Sequence, residues 1–425
     1  MRLAALAALG CALVLAAACG GSGGATDDGG VGSGPLPPPP PPVSTNKASD
    51  IVKPWVTTSG GRFVDQNGQP VILHGFDMSV GMSHLAPVAQ QLGANMARVY
   101  VGWDAIQPEA PRNGHYRWDA KTLGKLDKIV AALRAVHINV LIDFHQFHWS
   151  PYFAQATCKA GKTVCRASGV PAWYYAGGRF PATRSGSSHA EAAFFTTEAS
   201  RSQAYYSAFA SMIAARYARD ANVIGYEILN EPHPGKLGDT TEATNTMLRW
   251  QAGIRRAIQK VDPTRTVFIM CRGGGEGVGT ADLKPFGSLD HMALDWHDYF
   301  NGLSGGLDAA GDNWVPSWAD THNQETSSYT GTEAAQARVL QVPLERAKSW
   351  GIPLLIGEWG FHTGAPGSDT YQQQMLDLFQ KHGVSWTRWV LATGGGFALL
   401  NADDTPTPEA DQLGAAMRAT TATTP

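Results

Sequence analysis

Two glutamates lie near the ends of apolar runs that are far apart in the chain. Glu231 follows the run VIGYEILN that begins at residue 223, and Glu358 lies within PLLIGEWG at 353–360. A protonated carboxyl group can act as an acid, whereas an ionised one can act as a base or a nucleophile. If the fold brings the two together, one can donate a proton while the other attacks. Glu231 and Glu358 are therefore the candidate catalytic pair.

Other polar side chains also stand near the carboxyl ends of apolar runs. They are Arg98, His145, Asn230, His297 and Tyr299. Charged and hydrogen-bonding groups at the end of a buried strand are costly unless partners satisfy them or a function retains them. We expect these side chains to meet the two glutamates around a single cleft.

Eight short apolar runs alternate with amphipathic stretches from residue 51 onward. We interpret the runs as strands, at 71–76, 95–100, 138–145, 223–232, 266–271, 291–299, 353–360 and 384–390. Apolar residues at helical spacing occupy 119–136, 202–218, 246–261 and 334–350, and Pro343 predicts a kink or break in the last of these. The alternation predicts an α/β fold, a closed (β/α)8 barrel whose strand ends converge on one face. An open doubly wound sheet is the alternative.

The paired carboxyl groups fit one reaction in particular. Hydrolysis of a glycosidic bond with retention needs two carboxyl groups about 5 to 5.5 Å apart. Glu231 would protonate the leaving oxygen while Glu358 attacks the anomeric carbon, and water would then release the covalent glycosyl-enzyme. We expect the Glu358 carboxylate to keep Glu231 protonated until Glu358 is esterified, after which Glu231 acts as the base. This chemistry requires no metal and no organic cofactor.

Five motifs resemble glycoside hydrolase family 5 and follow that family's order. They are Asn-Met-Ala-Arg at 95–98, Asp-Phe-His-Gln at 143–146, Asn-Glu-Pro at 230–232, His-Asp-Tyr at 297–299 and Ile-Gly-Glu-Trp-Gly at 356–360. Asn-Glu-Pro alone is a weak signal in a chain of this length, whereas five ordered motifs are specific. The resemblance covers residues 51–415 and implies a barrel enzyme that cleaves β-glycosidic bonds.

The resemblance also implies roles for the residues around the pair. Arg98 and Tyr299 would hold the Glu358 carboxylate by charge-assisted hydrogen bonds. Asn230 would bind the sugar 2-hydroxyl, an interaction that strengthens in the transition state.

Further roles that the resemblance implies concern the sugar itself. His145 and His297 would position the sugar and the nucleophile. Trp389 on the last strand would be the stacking floor of the sugar subsite, with the nearby Trp386 as the alternative.

The substrate stays open between two classes. GVPAW at 169–173, the aromatic-rich segment up to Tyr206 and VIGYEILNEPHPG resemble endoglycoceramidases, which release the glycan from glycosphingolipids. Phe147-His148-Trp149 and Gly-Glu-Trp-Gly at 357–360 depart from that branch. The other candidates are β-glucan and β-mannan.

Two functions other than hydrolysis compete with this interpretation. A catalytically silent carbohydrate-binding lipoprotein would be marked by loss of a catalytic glutamate, and both glutamates are present. A transglycosylase would use a sugar in place of water, which the sequence does not distinguish. Asp143, His145 and His148 are ligand types, but no further ligand cluster accompanies them, so we predict no metal site.

Composition limits the partners. The net charge is -3, from 33 basic and 36 acidic residues without long single-sign blocks, which gives no footprint for nucleic acid or an anionic membrane. We expect a mostly uncharged ligand, an oligo- or polysaccharide or a glycolipid glycan, bound by a monomer. Thirteen Trp, twelve Tyr and fifteen Phe supply flat faces on which sugar rings can stack.

The N-terminus predicts export. Residues 1–19 have the pattern of a secretory signal, and LAAACG at 15–20 resembles a lipoprotein signal in which Cys19 is lipidated. Residues 20–50 are rich in Gly, Ser and Pro and form a predicted linker, which leaves 51–425 as the catalytic domain. A membrane-anchored lipoprotein and a secreted protein are both compatible with this start.

Three cysteines lie in the predicted catalytic domain. Cys158 and Cys165 flank a short segment and are a predicted disulfide in an oxidising compartment. Cys271 ends an apolar run and is predicted to be a small buried thiol.

Overall fold

The chain folds into a closed barrel of eight parallel strands. A computed structural model describes residues 50–156, 166–275, 277–299, 306–307, 314–315, 329 and 331–423. The barrel strands are β1 His74–Ser79, β2 Met96–Gly102, β3 Asn139–His145, β4 Val223–Glu227, β5 Thr266–Met270, β6 Met292–Tyr299, β7 Leu354–Gly360 and β8 Ser385–Arg388. Each strand pairs with the next along the chain, and β8 pairs with β1. The predicted (β/α)8 barrel is confirmed, and the open sheet is wrong.

The helices of the barrel cover the outside of the strands. They are α1 Ala86–Gln91, α2 Trp103–Ile106, α3 Ala120–Ala135, α4 Ala172–Tyr175, α5 Arg184–Phe195, α6 Ala199–Tyr217, α7 Thr241–Val261, α8 Glu333–Trp350, α9 Ser368–His382 and α10 Pro408–Thr423. Short polar side chains cap several of them, as where Asp119 accepts a hydrogen bond from the backbone of Thr122 at the start of α3. Helix α8 runs through Pro343 without a break, so the predicted split at this proline is wrong.

Two predicted strand ends differ from the structure in a way that matters for the site. Strand β4 stops at Glu227, so Asn230 and Glu231 lie in the loop that follows it. Strand β8 stops at Arg388, so Trp389 follows the strand. Ile228 and Leu229 are buried although they lie outside β4, which is why the apolar run is longer than the strand.

An N-terminal hairpin closes the barrel at the amino ends of its strands. Its strands, Val56–Ser59 and Arg62–Asp65, pair antiparallel. Phe63 from this hairpin stacks on Phe268 of β5, with ring centroids 5.8 Å apart, within a cluster of inward-facing strand residues. The opposite, carboxyl end of the strands is left for the functional side chains. A second pair of short strands, Gly306–Leu307 and Trp314–Val315, is antiparallel.

An insertion between β3 and α6 carries α4 and α5 and builds a small core of its own. Its aromatic side chains are buried and pack against one another: Trp149, Trp173, Tyr174, Tyr175, Phe194 and Phe195. Trp250 of α7 joins the same cluster, 5.2 Å from the Phe194 ring. The aromatic richness of this stretch is therefore used for packing, and these rings form no apolar surface for a lipid.

Several predictions fall outside the described residues. The signal at 1–19, the lipidation of Cys19 and the Cys158–Cys165 disulfide lie there, as does the linker at 20–50 except for its last residue. Cys271 is buried, as predicted. In the described part of the chain, none of the helices combines the length and apolar character that crossing a membrane requires.

Candidate active site

The two candidate glutamates meet at the carboxyl end of the barrel. Glu358 lies in β7, and Glu231 follows β4. One carboxylate oxygen of each lies within 4.8 Å of the other and of a ring nitrogen of His297. This proximity fits the separation that a retaining pair of carboxyl groups needs.

Glu358 is held from two sides. The guanidinium of Arg98 donates to one carboxylate oxygen at 2.8 Å, and the hydroxyl of Tyr299 donates to the other at 2.8 Å. Hydrogen bonds to both oxygens fix the orientation of the carboxylate. Both partners are those that the sequence predicted.

Arg98 donates hydrogen bonds to several side chains of the site. It is fully buried and donates to Glu227 at 2.7 and 3.0 Å, to Asp77 at 2.8 Å and to Asn230 at 2.7 Å. Asp143 lies 3.0 Å from the same guanidinium. Burial works against its charge, but the surrounding carboxylates raise the pKa of Arg98 well above its usual value. The arginine therefore stays charged and fixes the positions of Glu358 and Asn230 relative to each other.

The acids beneath the site were not predicted as site residues. Burial raises the pKa of Asp77, Asp143 and Asp295 well above the usual range. For Glu227, burial acts in the same direction, but the charge and hydrogen bonds of Arg98 lower its pKa below the usual value. Glu227 therefore stays ionised beside Arg98. The sequence signal of these four residues is an acid within an apolar strand, as Asp295 lies two residues before His297 on the same face.

His297 stands between the two glutamates. Its Nδ1 lies 2.9 Å from Glu231 Oε1 and 3.6 Å from Glu358 Oε2. Burial disfavours the charged ring, but the Glu358 charge and the Glu231 hydrogen bond raise the pKa of His297 to about 10. Burial likewise raises the pKa of Glu231, and the bond and charge of His297 outweigh it, so the net shift is downward.

This arrangement corrects one expectation. The sequence argument had the Glu358 carboxylate keeping Glu231 protonated. In the free site, the proton rests on His297 because its ring faces both carboxylates, and the nearer of them is Glu231. The acid form of Glu231 must therefore be produced from the Glu231–His297 pair.

The loop that carries Glu231 is fixed by its neighbours. Gln146 donates from its side-chain amide to the Glu231 carbonyl at 2.8 Å, and Asn230 donates to the Gln146 carbonyl at 3.0 Å. Glu231 has a φ of 39°, a left-handed conformation that non-glycine residues rarely adopt. Cross-links of this kind can hold such a backbone in place.

His145 and Trp389 form one wall of the site. Asp143 lies 2.7 Å from His145 Nδ1, and burial lowers the pKa of His145 to about 4, so the ring is neutral at pH 7. The ring stacks on Trp389 with centroids 5.8 Å apart and planes 10° apart. Trp386 is buried instead against Phe379, which leaves Trp389 as the tryptophan at the site.

The structure brings together the predicted catalytic and substrate-binding residues, namely Arg98, His145, Asn230, Glu231, His297, Tyr299, Glu358 and Trp389. Within the described residues, two groups of side chains also have the proximity of metal ligands: Glu231, His297 and Glu358, and Glu227, Asp295 and His297. The set of Asp143, His145 and His148 considered from the sequence is not one of them. That the activity requires no metal ion stays a prediction.

Comparison with known proteins agrees with this geometry. The family model described as cellulase, glycosyl hydrolase family 5, matches residues 64–395. Mannan endo-1,4-beta-mannosidase 7 of Oryza sativa subsp. japonica is 23% identical over an alignment of 360 residues that covers 78% of this chain and 84% of that protein.

Solved structures show the same fold. An endogalactoceramidase superposes with a TM-score of 0.64 at 17% identity, over 86% of this chain and 84% of that one. Endo-glycoceramidase II from Rhodococcus sp., in its ganglioside GM3 complex, gives a TM-score of 0.63 at 18% identity, over 84% and 81%. Because the family model spans most of the chain, the protein belongs to glycosyl hydrolase family 5 and is a glycosidase.

Proposed function

We propose that the protein is a retaining, endo-acting β-glycosidase in which Glu358 is the nucleophile and Glu231 is the acid/base. The observation that carries this proposal is the approach of the two carboxylates to within 4.8 Å. An inverting enzyme would need a wider gap to admit water between sugar and base. Family membership supports the same double displacement.

In the first step, the anomeric carbon changes partners. Glu358, held by Arg98 and Tyr299, forms a bond to this carbon while the glycosidic C–O bond breaks. Glu231 gives its proton to the departing oxygen, and it obtains that proton along its 2.9 Å hydrogen bond with His297. The products of this step are a glycosyl ester of Glu358 and the free leaving group.

In the second step, water resolves the ester. Esterification has removed the negative charge of Glu358, which lay 3.6 Å from the His297 ring. Glu231 takes a proton from the water while the water oxygen attacks the anomeric carbon and the ester bond to Glu358 breaks. Glu231 then passes this proton back to His297 along their 2.9 Å hydrogen bond, which restores the starting protonation. Two inversions give net retention.

As the substrate, we propose a chain of β-linked hexoses, a β-mannan or β-glucan. The mannosidase relative acts on mannan by name and matches most of this chain. The neutral His145 ring and Trp389 offer hydrogen-bonding and stacking contacts suited to an uncharged sugar. Trp149, Trp173, Tyr174, Tyr175, Phe194 and Phe195 of the insertion are buried and so offer no surface to a lipid.

A glycosphingolipid is the second candidate. It is favoured by the backbone likeness to the endogalactoceramidase and to endo-glycoceramidase II. Their TM-scores of 0.64 and 0.63 are higher than the 0.57 of Thermotoga maritima Cel5A. In that case, the leaving group would be a ceramide.

Product analysis by mass spectrometry separates these substrates. The purified chain is incubated with β-mannan, β-glucan, lactosylceramide and gangliosides, with Glu358→Gln as the inactive control. Short manno- or gluco-oligosaccharides support the first candidate, and an intact glycan with free ceramide supports the second. Products longer than the substrate would indicate transglycosylation. Turnover by Glu358→Gln would contradict the nucleophile assignment, and no product from any substrate would favour a carbohydrate-binding role.

We also propose that the protein is exported and anchored through a lipidated Cys19. The signal-like residues 1–19 and the following Gly- and Pro-rich stretch support this proposal. Cys19→Ala should move the protein from the membrane fraction to the soluble fraction. An unchanged membrane fraction in that variant would exclude a Cys19 anchor.

A further inference from the structure

The loop that follows β5 takes no part in the steps above. Strand β5 ends at Met270, and three consecutive glycines follow at 273–275. Glycine loses more conformational freedom on folding than any other residue, so a run of three is costly to hold in one conformation. This loop is nevertheless ordered by contacts with Glu231 and His297, the two residues that share a proton, or with their neighbours.

Two backbone hydrogen bonds join the loop to both sides of the proton pair. The amide of Gly273 donates to the carbonyl of Pro232, the residue after Glu231, at 2.8 Å. The amide of His297 donates to the carbonyl of Gly274 at 2.8 Å. Two consecutive glycines therefore link the loop that carries the acid/base residue to the strand that carries the histidine.

Gly274 lies against the pair and has no side chain. A Cβ at this position would lie 3.2 Å from the His297 Cβ and 3.9 Å from Glu231 Oε1. Carbon atoms in ordinary contact are about 3.5 to 4.0 Å apart, so the neighbouring ring would have to move by a few tenths of an ångström. The backbone of Gly274 is not left-handed. Glycine is therefore needed here for space and not for conformation.

The loop itself has little room to shift. Gly275 has a φ of 129°, and a Cβ there would lie 2.2 Å from the indole of Trp296, so the backbone packs directly on that buried ring. The amide of Gly275 also donates to the carbonyl of Arg272 at 2.9 Å, which closes the turn. Because the loop is held on both sides of Gly274, an added methyl group there acts on His297.

We propose that Gly274 is a positioning residue for proton transfer, because its lack of a side chain permits the 2.9 Å contact between His297 Nδ1 and Glu231 Oε1. This inference rests on the proposed roles of Glu231 and His297 and goes beyond them by adding the β5 loop to the acid machinery. The proton passes from the ring to Glu231 and then to the leaving oxygen. Gly274 touches no reacting atom, and a misplacement of about 1 Å in such an arrangement can cost about 100-fold in rate.

The test compares leaving groups that differ in their need for a proton. Phenol is a weak acid and needs the proton of Glu231 in order to leave, whereas 2,4-dinitrophenol is acidic enough to leave as its anion. The value of kcat/KM on the two aryl glycosides of one glycone covers the steps up to release of the phenol. β-Mannobiosides, β-cellobiosides and β-lactosides are all used, so that the comparison does not depend on which glycan the site prefers.

Four single variants and one double variant make the comparison. Gly274→Ala is the test, and Gly81→Ala after β1 is the matched control, because the nearest atom to its Cβ is 3.9 Å away. Gly277→Ala strains the same loop elsewhere, since its Cβ would lie 2.3 Å from Thr244 Oγ1 of α7. Glu231→Gln is the reference for loss of the acid. Gly274→Ala is also combined with His297→Gln, and thermal unfolding checks the fold of each variant.

We expect Gly274→Ala to lower kcat/KM by about 10-fold on the phenyl glycoside and by less than about twofold on the dinitrophenyl glycoside. The alkaline limit on the phenyl glycoside should move to lower pH, because a weaker bond to Glu231 raises the pKa of His297 less. Gly81→Ala should match the wild type, and Gly277→Ala should lower the melting temperature without changing the ratio of the two rates. In the His297→Gln background, the loss caused by Gly274→Ala should shrink to below about threefold.

Other outcomes overturn the inference. An equal loss on both glycosides, or the same selective loss in Gly277→Ala, would make the role of Gly274 purely structural. No loss in Gly274→Ala, or an undiminished loss in the His297→Gln background, would show that it does not act through the histidine. If Glu231→Gln loses activity equally on both glycosides, the acid/base assignment itself fails. A selective loss in Glu231→Gln beside an indifferent Gly274→Ala refutes only the inference.

Discussion

Asp298 offers a quantitative test of the electrostatics of the barrel. It lies between His297 and Tyr299 in β6, and the alternation of a strand sends its side chain to the opposite face, away from the glutamates. It is 3% exposed, and its backbone carbonyl accepts from the Tyr371 hydroxyl of α9 at 3.0 Å. Burial raises the pKa of Asp298 to about 7.

The sign of the effect follows from proton binding. In the unfolded chain, Asp298 ionises near its ordinary value of 3.8, whereas in the folded protein it keeps its proton up to about pH 7. The stability that this proton contributes is present below pH 3.8 and is lost as the pH rises to about 7. The loss is about 1.4 kcal/mol per pH unit, or about 4 kcal/mol by pH 7.

Asp298→Asn removes this titration. The free energy of unfolding of the variant, minus that of the wild type, should rise by about 1.4 kcal/mol per pH unit between pH 4 and 7 and then level off. Urea unfolding at pH 4, 5, 6, 7 and 8 measures the difference. The slope with pH is the readout, because replacing a hydroxyl by an amide adds an offset that does not depend on pH.

Two controls make this result decisive. Asp377→Asn, on the exposed face of α9, tests whether loss of a surface carboxylate gives a similar slope. Activity on an aryl β-glycoside should be unchanged in Asp298→Asn because the side chain points away from the reacting atoms. A difference in unfolding free energy that is flat from pH 4 to 7 would refute the account of Asp298 as a buried, neutral acid.

Three further predictions concern the site and its support. Tyr299→Phe removes the 2.8 Å hydrogen bond to Glu358. Steady-state kinetics should show kcat/KM lower by roughly 10- to 100-fold, with the melting temperature unchanged. A loss of kcat/KM below threefold would contradict the role of Tyr299 in holding Glu358. Gly235 has a φ of +56°, and Gly235→Ala places a Cβ 2.2 Å from the Ser188 carbonyl oxygen, so its free energy of unfolding in urea should fall by about 3 kcal/mol. The control Gly238→Ala has a φ of +68° and open space around the new Cβ, so its free energy of unfolding should fall by about 1 kcal/mol. Equal losses would deny the close packing of this loop on α5. His297→Gln removes the ring whose pKa is raised to about 10, so the alkaline limit of kcat/KM should move to lower pH by about one unit or more. An unchanged limit would exclude His297 as the source of the proton that Glu231 donates.

The barrel could be predicted because its strands are buried on both sides and are therefore apolar throughout. The strand ends were harder to place, since burial and sheet pairing are different properties. Ile228 and Leu229 are buried beyond the last residue of β4, so the sequence pattern extended this strand to residue 232. The side chains of the site were still found, because the loop begins at the same face of the barrel.

The predictable part of the site consists of the residues within recognisable motifs. Asp77, Glu227 and Asp295 were missed because each is an acid in an apolar strand outside the five motifs, and only barrel closure brings them to Arg98. The sequence also could not predict whether Glu231 or His297 carries the proton in the free site. The location of the proton depends on a distance of 2.9 Å to Glu231 and 3.6 Å to Glu358, which no spacing along the chain encodes.

The central claim, that Glu358 attacks the anomeric carbon, is tested most directly by trapping the ester. A 2-deoxy-2-fluoro-β-glycosyl fluoride forms the intermediate and slows its hydrolysis, since the fluorine destabilises an oxocarbenium-like transition state. Peptide mass mapping of the inactivated protein should place a single fluoroglycosyl group on Glu358, and Glu358→Gln should stay unlabelled. A label on Glu231 or on another carboxylate would contradict the assignment.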